Sequence, residues 1–534
     1  MRALLLLLLL CTRVAAVEGC PLPAADAMDE WEAQHLWTEI EKAGLRIGHI
    51  QVEVVDVYES GEAWYAAGMN WLHIETRERV VRDLILIEPG DAVAARVVYD
   101  SARRMRDLGI FRQVTIVPLR CHDGVVDVLV RAKDAWTLLV SPSFSRSGGA
   151  SKSKIKFEDG NFLGSGKELQ IEAESDAERS SVNYSYDDQA LFGSRWRFYL
   201  QYQDQSDGHS SEFKLLRPFL TATQNWGFYS SAEDARETLS FYQFGEVGWH
   251  AQSYVRLMTA SAWRLLERDA DSGWRVGLGV RSEERRYDSL VAIDPTLRPA
   301  PDLAPFESQG LTLGISRFHD RFESFTNLKL VDKTEDINLG LDATLEYTLN
   351  QRIALDAAWA ARWRGSMLLQ FELESQARKD DQGWRDGLLN SSFTAYSQSG
   401  RHTRLARLAY DWREDPDPEH EATLGGDEGM LGYPAHYLVG DRILHLHLED
   451  RWTTDQVLFQ TLRVGYTMVA EAGTGRRIGT KQWSQTLVDV GAGLRLGNLR
   501  GAHGEVFYIT VFVPLVLEPG VDSWQFVLGH VITF

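Results

Sequence analysis

Between Trp136 and Phe534 apolar and polar residues alternate with a period of two, the spacing that sends successive side chains to opposite faces of a strand. Trp196, Phe198, Leu200 and Tyr202 alternate with Arg195, Arg197, Tyr199 and Gln201, and Trp274, Val276, Leu278 and Val280 with Arg275, Gly277 and Gly279. Leu339, Leu341, Ala343, Leu345, Tyr347 and Leu349 are interleaved with Gly340, Asp342, Thr344, Glu346 and Thr348, and Leu369, Phe371 and Leu373 with Gln370, Glu372 and Glu374. Apolar residues on one face and charges on the other, sustained over such a length, predict an antiparallel membrane barrel of about sixteen strands, lipid-facing outside and wet inside. The breaks at Tyr287–Gln309 and Glu414–Gly440 predict long outer loops, and the turn Asp159–Gly166 a short periplasmic one. Trp524, Phe526, Leu528, Ile532 and Phe534 fall on one face of a last strand.

Ahead of this region the period changes. Met28, Trp31, Leu36, Ile40 and Ala43 make one helical stripe, with Asp26 or Asp29 near its start, which predicts an amphipathic helix docked on the domain that follows. Ile50, Val52 and Val54 then read as a strand. Thr76 is placed to cap a short helix that aligns Val80, Val81, Leu84 and Ile85, and a second helix aligns Ala94, Val98, Ala102 and Met105 before Gly109 ends it. Phe111–Leu119 and Val125–Val130 close the unit as a hairpin on His122-Asp123-Gly124. The predicted order is βααββ, a small α+β domain.

Composition adds the compartment. A chain of 534 residues exceeds one ordinary core. Arg2, the run Leu4–Leu10 and Val14-Ala15-Ala16 read as a secretory signal over residues 1–16. No later apolar run approaches the ~18 residues of a membrane helix, which leaves a barrel untouched because its apolar face occupies every second position. The 17 Trp and 18 Tyr suit aromatic girdles. A formal net charge of -20 excludes nucleic acid as a partner. Past the signal Cys20 and Cys121 are the cysteines that could pair in an oxidising compartment; a lipidated Cys20 is the alternative, against which stands Glu18 close before it.

Catalytic constellations are missing. Gly164-Ser165-Gly166-Lys167 lacks the phosphate-loop spacing and reads as a turn. His445 and His447 share a strand face without a third ligand at fixed spacing, which favours lumen-facing polar positions over a metal site. No nucleophile-elbow pattern occurs. The sequence therefore predicts no enzyme and no cofactor.

The densest signal is Leu424–Arg442, LGGDEGMLGYPAHYLVGDR, with five glycines in this short span. Glycine permits positive φ and close backbone approach, so this loop is expected to pack tightly against something.

Together HIETRERVVRDLILIEPGD, RRMRDLGIFRQVTI, the exit DAWTLLVSP and the barrel pattern resemble the BamA/TamA/FhaC superfamily of bacterial outer-membrane proteins, as a member with a single POTRA domain. The resemblance implies a signal peptide at 1–16, an N-terminal segment at 17–46, a POTRA domain at 47–134 and a sixteen-strand barrel at 135–534. It implies a Gram-negative outer membrane with the N-terminal domain in the periplasm, and contact with lipid and lipopolysaccharide. It also implies unfolded barrel or secreted polypeptides as clients that the POTRA domain receives. Gly529, Ile532 and Phe534 resemble the superfamily's carboxyl-terminal assembly signal.

The glycine-rich stretch resembles the superfamily's lid loop, here 415–442. Gly425 and Gly426 open it, Gly432-Tyr433 stands for the tip, and Gly440, Asp441 and Arg442 close it. Glu449 and Glu471 match the lumen-wall acids that the lid arginine meets, but Leu431 occupies the arginine position. Arg442 and Arg451 are the cations expected to replace it, and Leu431→Arg is expected to strengthen the barrel by restoring the pair. The alternative to assembly or translocation of polypeptides is a passive pore or structural envelope protein that kept the fold without the activity, motivated by Leu431. A two-partner secretion transporter is disfavoured, since that class usually carries two POTRA domains.

Overall fold

Strand periodicity on one side of residue 136 and mixed periodicity on the other become two architectures. The computed structural model describes residues 30–58, 70–71, 73–147, 150–176, 178–269, 271–365, 367–381, 383–478, 481–500, 506–518 and 520–530. It divides into two compact units, Met1–Trp136 with Leu163–Gly166, and Thr137–Phe162 with Lys167–Phe534.

The first unit holds α1 (Glu30–Lys42), β1 (Arg46–Val55), α2 (Glu78–Leu84), α3 (Ala95–Asp107), β2 (Phe111–His122) and β3 (Val125–Asp134). β3 lies centrally, parallel to β1 and antiparallel to β2. Asp123 and Gly124, at φ 48° and 75°, form the left-handed pair of a tight β2–β3 hairpin. α3 buries Val98, Ala102 and Met105, the stripe its spacing defines. α1 docks on β2: Leu36 packs on Val117 and Leu129, and Trp37 Nε1 donates to the Ile116 carbonyl at 2.9 Å. Thr76 is not a helix cap. Its amide and hydroxyl donate to Asp134 at 2.8 and 2.6 Å, and α2 begins after Arg77 without a side-chain cap. Cys121 is disulfide-bonded; Cys20, expected as its partner, lies outside the described residues, as do the signal segment, Ile532 and Phe534.

Two carboxylates of this unit titrate in opposite directions. Burial pushes Asp134 up to about 6, against the Thr76 hydrogen bonds and the neighbouring His73. Burial acts the same way on Asp127, but Arg120 at 2.6 Å, the His49 amide at 2.8 Å and His122 at 3.2 Å outweigh it and hold the group at about 2. A raised folded pKa favours the folded state while the group is protonated, so the Asp134 contribution is present near pH 4 and lost as pH rises through 6. The Asp127 contribution is present above pH 4 and lost as pH falls toward 2. We expect the N-terminal unit to melt several degrees lower at pH 7 than at pH 4.5 and Asp134→Asn to flatten that difference, as measured by calorimetry; an undiminished difference in the variant would assign it to other groups.

The second unit is a closed antiparallel barrel. Among the described residues it has twenty wall strands, from Leu138–Ser147 to Gln525–His530, which corrects the expected sixteen. The difference arises largely among short strands joined by short turns. Ala150–Asp159, Lys167–Ser175, Ser180–Asp188, Arg197–Gln205 and Gly208–Arg217 are each nine or ten residues long, and each carries only two or three apolar residues on its outward face. Ser180–Asp188 reads SSVNYSYDD, with Val182, Tyr184 and Tyr186 as its whole apolar face. The break expected at Tyr287–Gln309 is shorter, because strands run to Ala292 and resume at Phe306.

Alternation assigns the faces. Leu278, Val280, Leu311, Leu313, Leu444, Leu446, Leu448 and Met468 are exposed on the outside, whereas the charged residues between them point inward. An exposed apolar band on a closed antiparallel barrel is a lipid-facing surface, because the ladder between strands satisfies the backbone without water. Each strand is antiparallel to its neighbour, so the loop 415–437 and the chain's entry at Leu138 lie at opposite ends of the barrel.

Candidate functional site

The strand Leu438–Leu458 puts Leu444, Leu446, Leu448 and Trp452 outside, so period two turns His445, His447, Glu449 and Arg451 into the lumen. Register then builds a row across the wall. His447 is paired with Glu471 on Leu462–Arg477, and Glu471 with Asp489 on Leu487–Asn498. Glu471 Oε1 accepts from His445 Nε2 at 3.1 Å and from His447 Nδ1 at 3.0 Å. Glu449 accepts from Arg451 Nη2 and Thr467 Oγ1, both at 2.6 Å, and lies 3.5 Å from His447 Nε2.

The loop after His402–Glu414 folds onto this row. Ala422–Leu424 pairs with the start of Leu438–Leu458 and a 3-10 turn spans Gly426–Glu428. Gly425 holds φ 127°, and a Cβ there would sit 2.2 Å from the Pro434 carbonyl, so glycine is demanded on both counts. The tip donates backbone rather than side chain: Leu431 N–H to Glu471 Oε2 at 3.1 Å and Gly432 N–H to Asp489 Oδ2 at 2.9 Å. Beyond the acids, Tyr433 Oη shares its one proton between the carbonyls of Val488 and Val516 at 2.9 and 3.0 Å, and Tyr437 Oη donates to Glu518 at 2.8 Å. Met430, Tyr433 and Tyr437 pack with Ala422, Leu424, Leu438, Ile443 and Leu487. Burial of side chains this large contributes about 1.5–3 kcal/mol each.

The base of the loop reaches other parts of the wall. Glu419 accepts from Ser253, Arg285 and Tyr287 at 2.9, 3.2 and 2.7 Å, and Glu421 takes both terminal nitrogens of Arg298 at 2.7 and 2.5 Å. Those donors belong to strands Glu246–Arg268 and Ser272–Ala292 and the loop after them, eight or more strands around the barrel from Asp489. The loop thus spans the lumen. Asp386, Asp417 and His420 bring ligand-type atoms within 4.8 Å of one another. Arg378 Nε donates to Asp417 at 2.9 Å and His420 Nδ1 lies 2.8 Å from Asp386, so both carboxylates are already engaged by neighbouring side chains.

Two expectations for the missing arginine fare differently. Arg451 pairs with Glu449. Arg442 does not approach either acid: it has the outward parity of Leu444, stacks over Trp412 and donates to the Arg413 carbonyl. Asp441 is bound in bidentate fashion by Arg476 at 2.6 and 2.7 Å, and a Cβ on Gly440 would meet the Arg476 carbonyl. The Leu431 side chain enters an apolar cluster with Val469, Phe512 and Val527. Asp489, Glu518 and Tyr437 escaped the sequence reading; period two alone flags Asp489 as inward, but its place opposite Glu471 requires the register. The chemistry of the arrangement is that of a latch: two carboxylates receiving amides in a buried site.

Gly432 Cα faces Asp489 so closely that a Cβ would lie 2.8 Å from its carboxylate. Gly432→Val should lift the tip and forfeit the amide bond, at about 1–3 kcal/mol for a buried acceptor left unpaired. The check is chymotrypsin cleavage within Leu431–Tyr437, which should quicken in the variant while heat-dependent gel migration of the folded barrel stays as in the parent.

No family model and no curated protein matches the chain. Among solved structures it is similar to CdiB from Acinetobacter baumannii, at 11% identity and TM-score 0.44, over 93% of this chain and 80% of that one. It is also similar to CdiB from Escherichia coli, at 12% identity and TM-score 0.45, over 91% and 76%. BamA from Haemophilus ducreyi lacking POTRA domains 1–3 aligns at 12% identity and TM-score 0.38, over 90% and 85%.

Proposed function

We propose that the protein resides in the outer membrane of a Gram-negative bacterium and assembles or translocates β-rich polypeptides there. In this reading the βααββ unit is a single periplasmic POTRA domain, and lipid with lipopolysaccharide surrounds the barrel. The observation that carries it is the lid: a loop that crosses the lumen and is bonded to two sides of the wall favours a regulated machine over an open pore. Two further features support it. β1 and β2 are edges of a three-strand sheet, where an incoming strand can add. The barrel closes where its first and last strands meet, Phe526 with Arg146, Val527 with Ser145 and Leu528 with Phe144, which is the seam a lateral opening would use.

Depletion followed by quantitative proteomics of the outer membrane and medium tests the reading. Loss of particular barrels or secreted proteins is the expected result. An unchanged proteome with altered uptake of small solutes would overturn it in favour of a passive pore.

A further inference from the structure

A second element folds into the lumen, from the end opposite the lid. The chain between strands Phe306–His319 and Gly340–Thr348 forms a small two-strand sheet, Phe322–Thr326 with Thr334–Asn338, outside the barrel ladder. Its tip is preorganised. Glu335 accepts the amides of Leu328, Lys329 and Leu330 at 2.9–3.2 Å, and Asn327 Oδ1 accepts that of Asp332 at 2.8 Å.

Inward-facing wall residues hold it along an arc of strands. Thr403 Oγ1 donates to the Asn327 carbonyl at 2.8 Å, Arg451 Nη1 to that of Leu328 at 2.5 Å and Arg495 Nη2 to that of Lys329 at 3.0 Å. Leu328 and Phe325 pack with Ala360, Leu368, Tyr396 and Leu405, and Val331 with Val506 and Tyr508. Nine wall residues that anchor a sheet this small make it a seated element, as the lid is.

The two elements share one wall residue chain. Arg451 gives Nη1 to the hairpin and Nη2 to Glu449; Glu449 neighbours His447; His447 bonds Glu471; and Glu471 receives the lid amide of Leu431. Each of these side chains is at most 4% exposed. A buried ionic chain leaves each member poorly solvated if a neighbour withdraws, so displacement at one end is felt at the other.

We infer that the 322–338 hairpin is a second lumenal gate element, coupled to the lid through Arg451, Glu449, His447 and Glu471, so that a partner engaging the hairpin from the barrel end where the chain enters loosens the lid at the far end. The inference is independent of the polypeptide reading: it holds equally for a pore. By reciprocity the lid must act on the hairpin with the same factor.

Amide hydrogen exchange of the full-length barrel tests it with two variants. Arg451→Met cuts the shared chain and keeps the stem volume; Thr403→Val removes a hairpin anchor and leaves the chain intact. With Arg451→Met, exchange should quicken in both 327–333 and 429–433 by at least about fivefold, the lower end of coupling between linked sites. With Thr403→Val it should quicken in the hairpin and spread to the lid by a smaller factor. Lid protection unchanged in Arg451→Met while the hairpin loosens would overturn the coupling. If Arg451→Met fails to fold, replacing 322–338 by a short Gly-Ser turn carries the same two outcomes for the lid segment.

Discussion

Glu471→Leu is expected to unseat the lid while the barrel wall remains closed. Glu471 is a side chain on which three donors converge, the Leu431 amide and the imidazoles of His445 and His447, and it is buried with all of them. Leucine fits the space but accepts nothing. Two histidines and an amide then lose their acceptor in a site with little water, a loss of roughly 3–5 kcal/mol for one partner removed from a buried ionic group. That raises the open-lid population by roughly two to four orders of magnitude. The wall is unaffected, since its ladder is backbone and its outward face is untouched. Chymotrypsin cleavage within Leu431–Tyr437, slow in the parent, should become fast in the variant with no change in heat-dependent gel migration of the barrel. Equal cleavage rates would show that the lid does not depend on this carboxylate. Glu471→Gln, which keeps an acceptor oxygen, should fall between the two.

Leu431→Arg should weaken lid seating rather than strengthen it. From sequence the substitution looked restorative, because Glu449 and Glu471 stood as acids awaiting a cation. Both already have partners: Arg451 and Thr467 hold Glu449, and two histidines and a backbone amide hold Glu471. The Leu431 side chain instead fills a pocket lined by Val469, Phe512 and Val527. Arginine there removes a buried leucine, at about 2–5 kcal/mol, and adds a charge that must displace an existing partner to be paired. The midpoint for lid cleavage on heating in detergent should fall. Leu431→Met, which conserves volume, should leave it nearly unchanged. A rise with arginine would place the side chain among the acids instead.

The uneven legibility of this chain has physical causes. The lid could be read because its glycines carry a backbone requirement that no other residue meets; Gly425 shows it in both φ and Cβ clearance. Arg451 could be read too, two residues from Glu449 on one strand face. Arg442 could have been excluded by the same period, being of opposite parity to Glu449. Strand number was less legible, because a short strand such as Ser180–Asp188 carries only three apolar residues and short polar turns leave little to separate one strand from the next. The hairpin at 322–338 was invisible as an inward element: FESFT and TEDIN alternate like any wall strands, and only the partners of Asn327, Leu328 and Lys329 place them inside. The row of His447, Glu471 and Asp489 lies on three separate strands, so register alone assembles it.

The lid tip is bonded by its own amides to carboxylates inside the barrel. Residue-resolved amide exchange of the intact protein in detergent reads those amides directly. Leu431 and Gly432 are predicted to be protected to a degree comparable with amides of the strand Leu438–Leu458, and far more than those of the outer loop 293–305. Exchange at Leu431 and Gly432 as fast as in that outer loop would contradict the account.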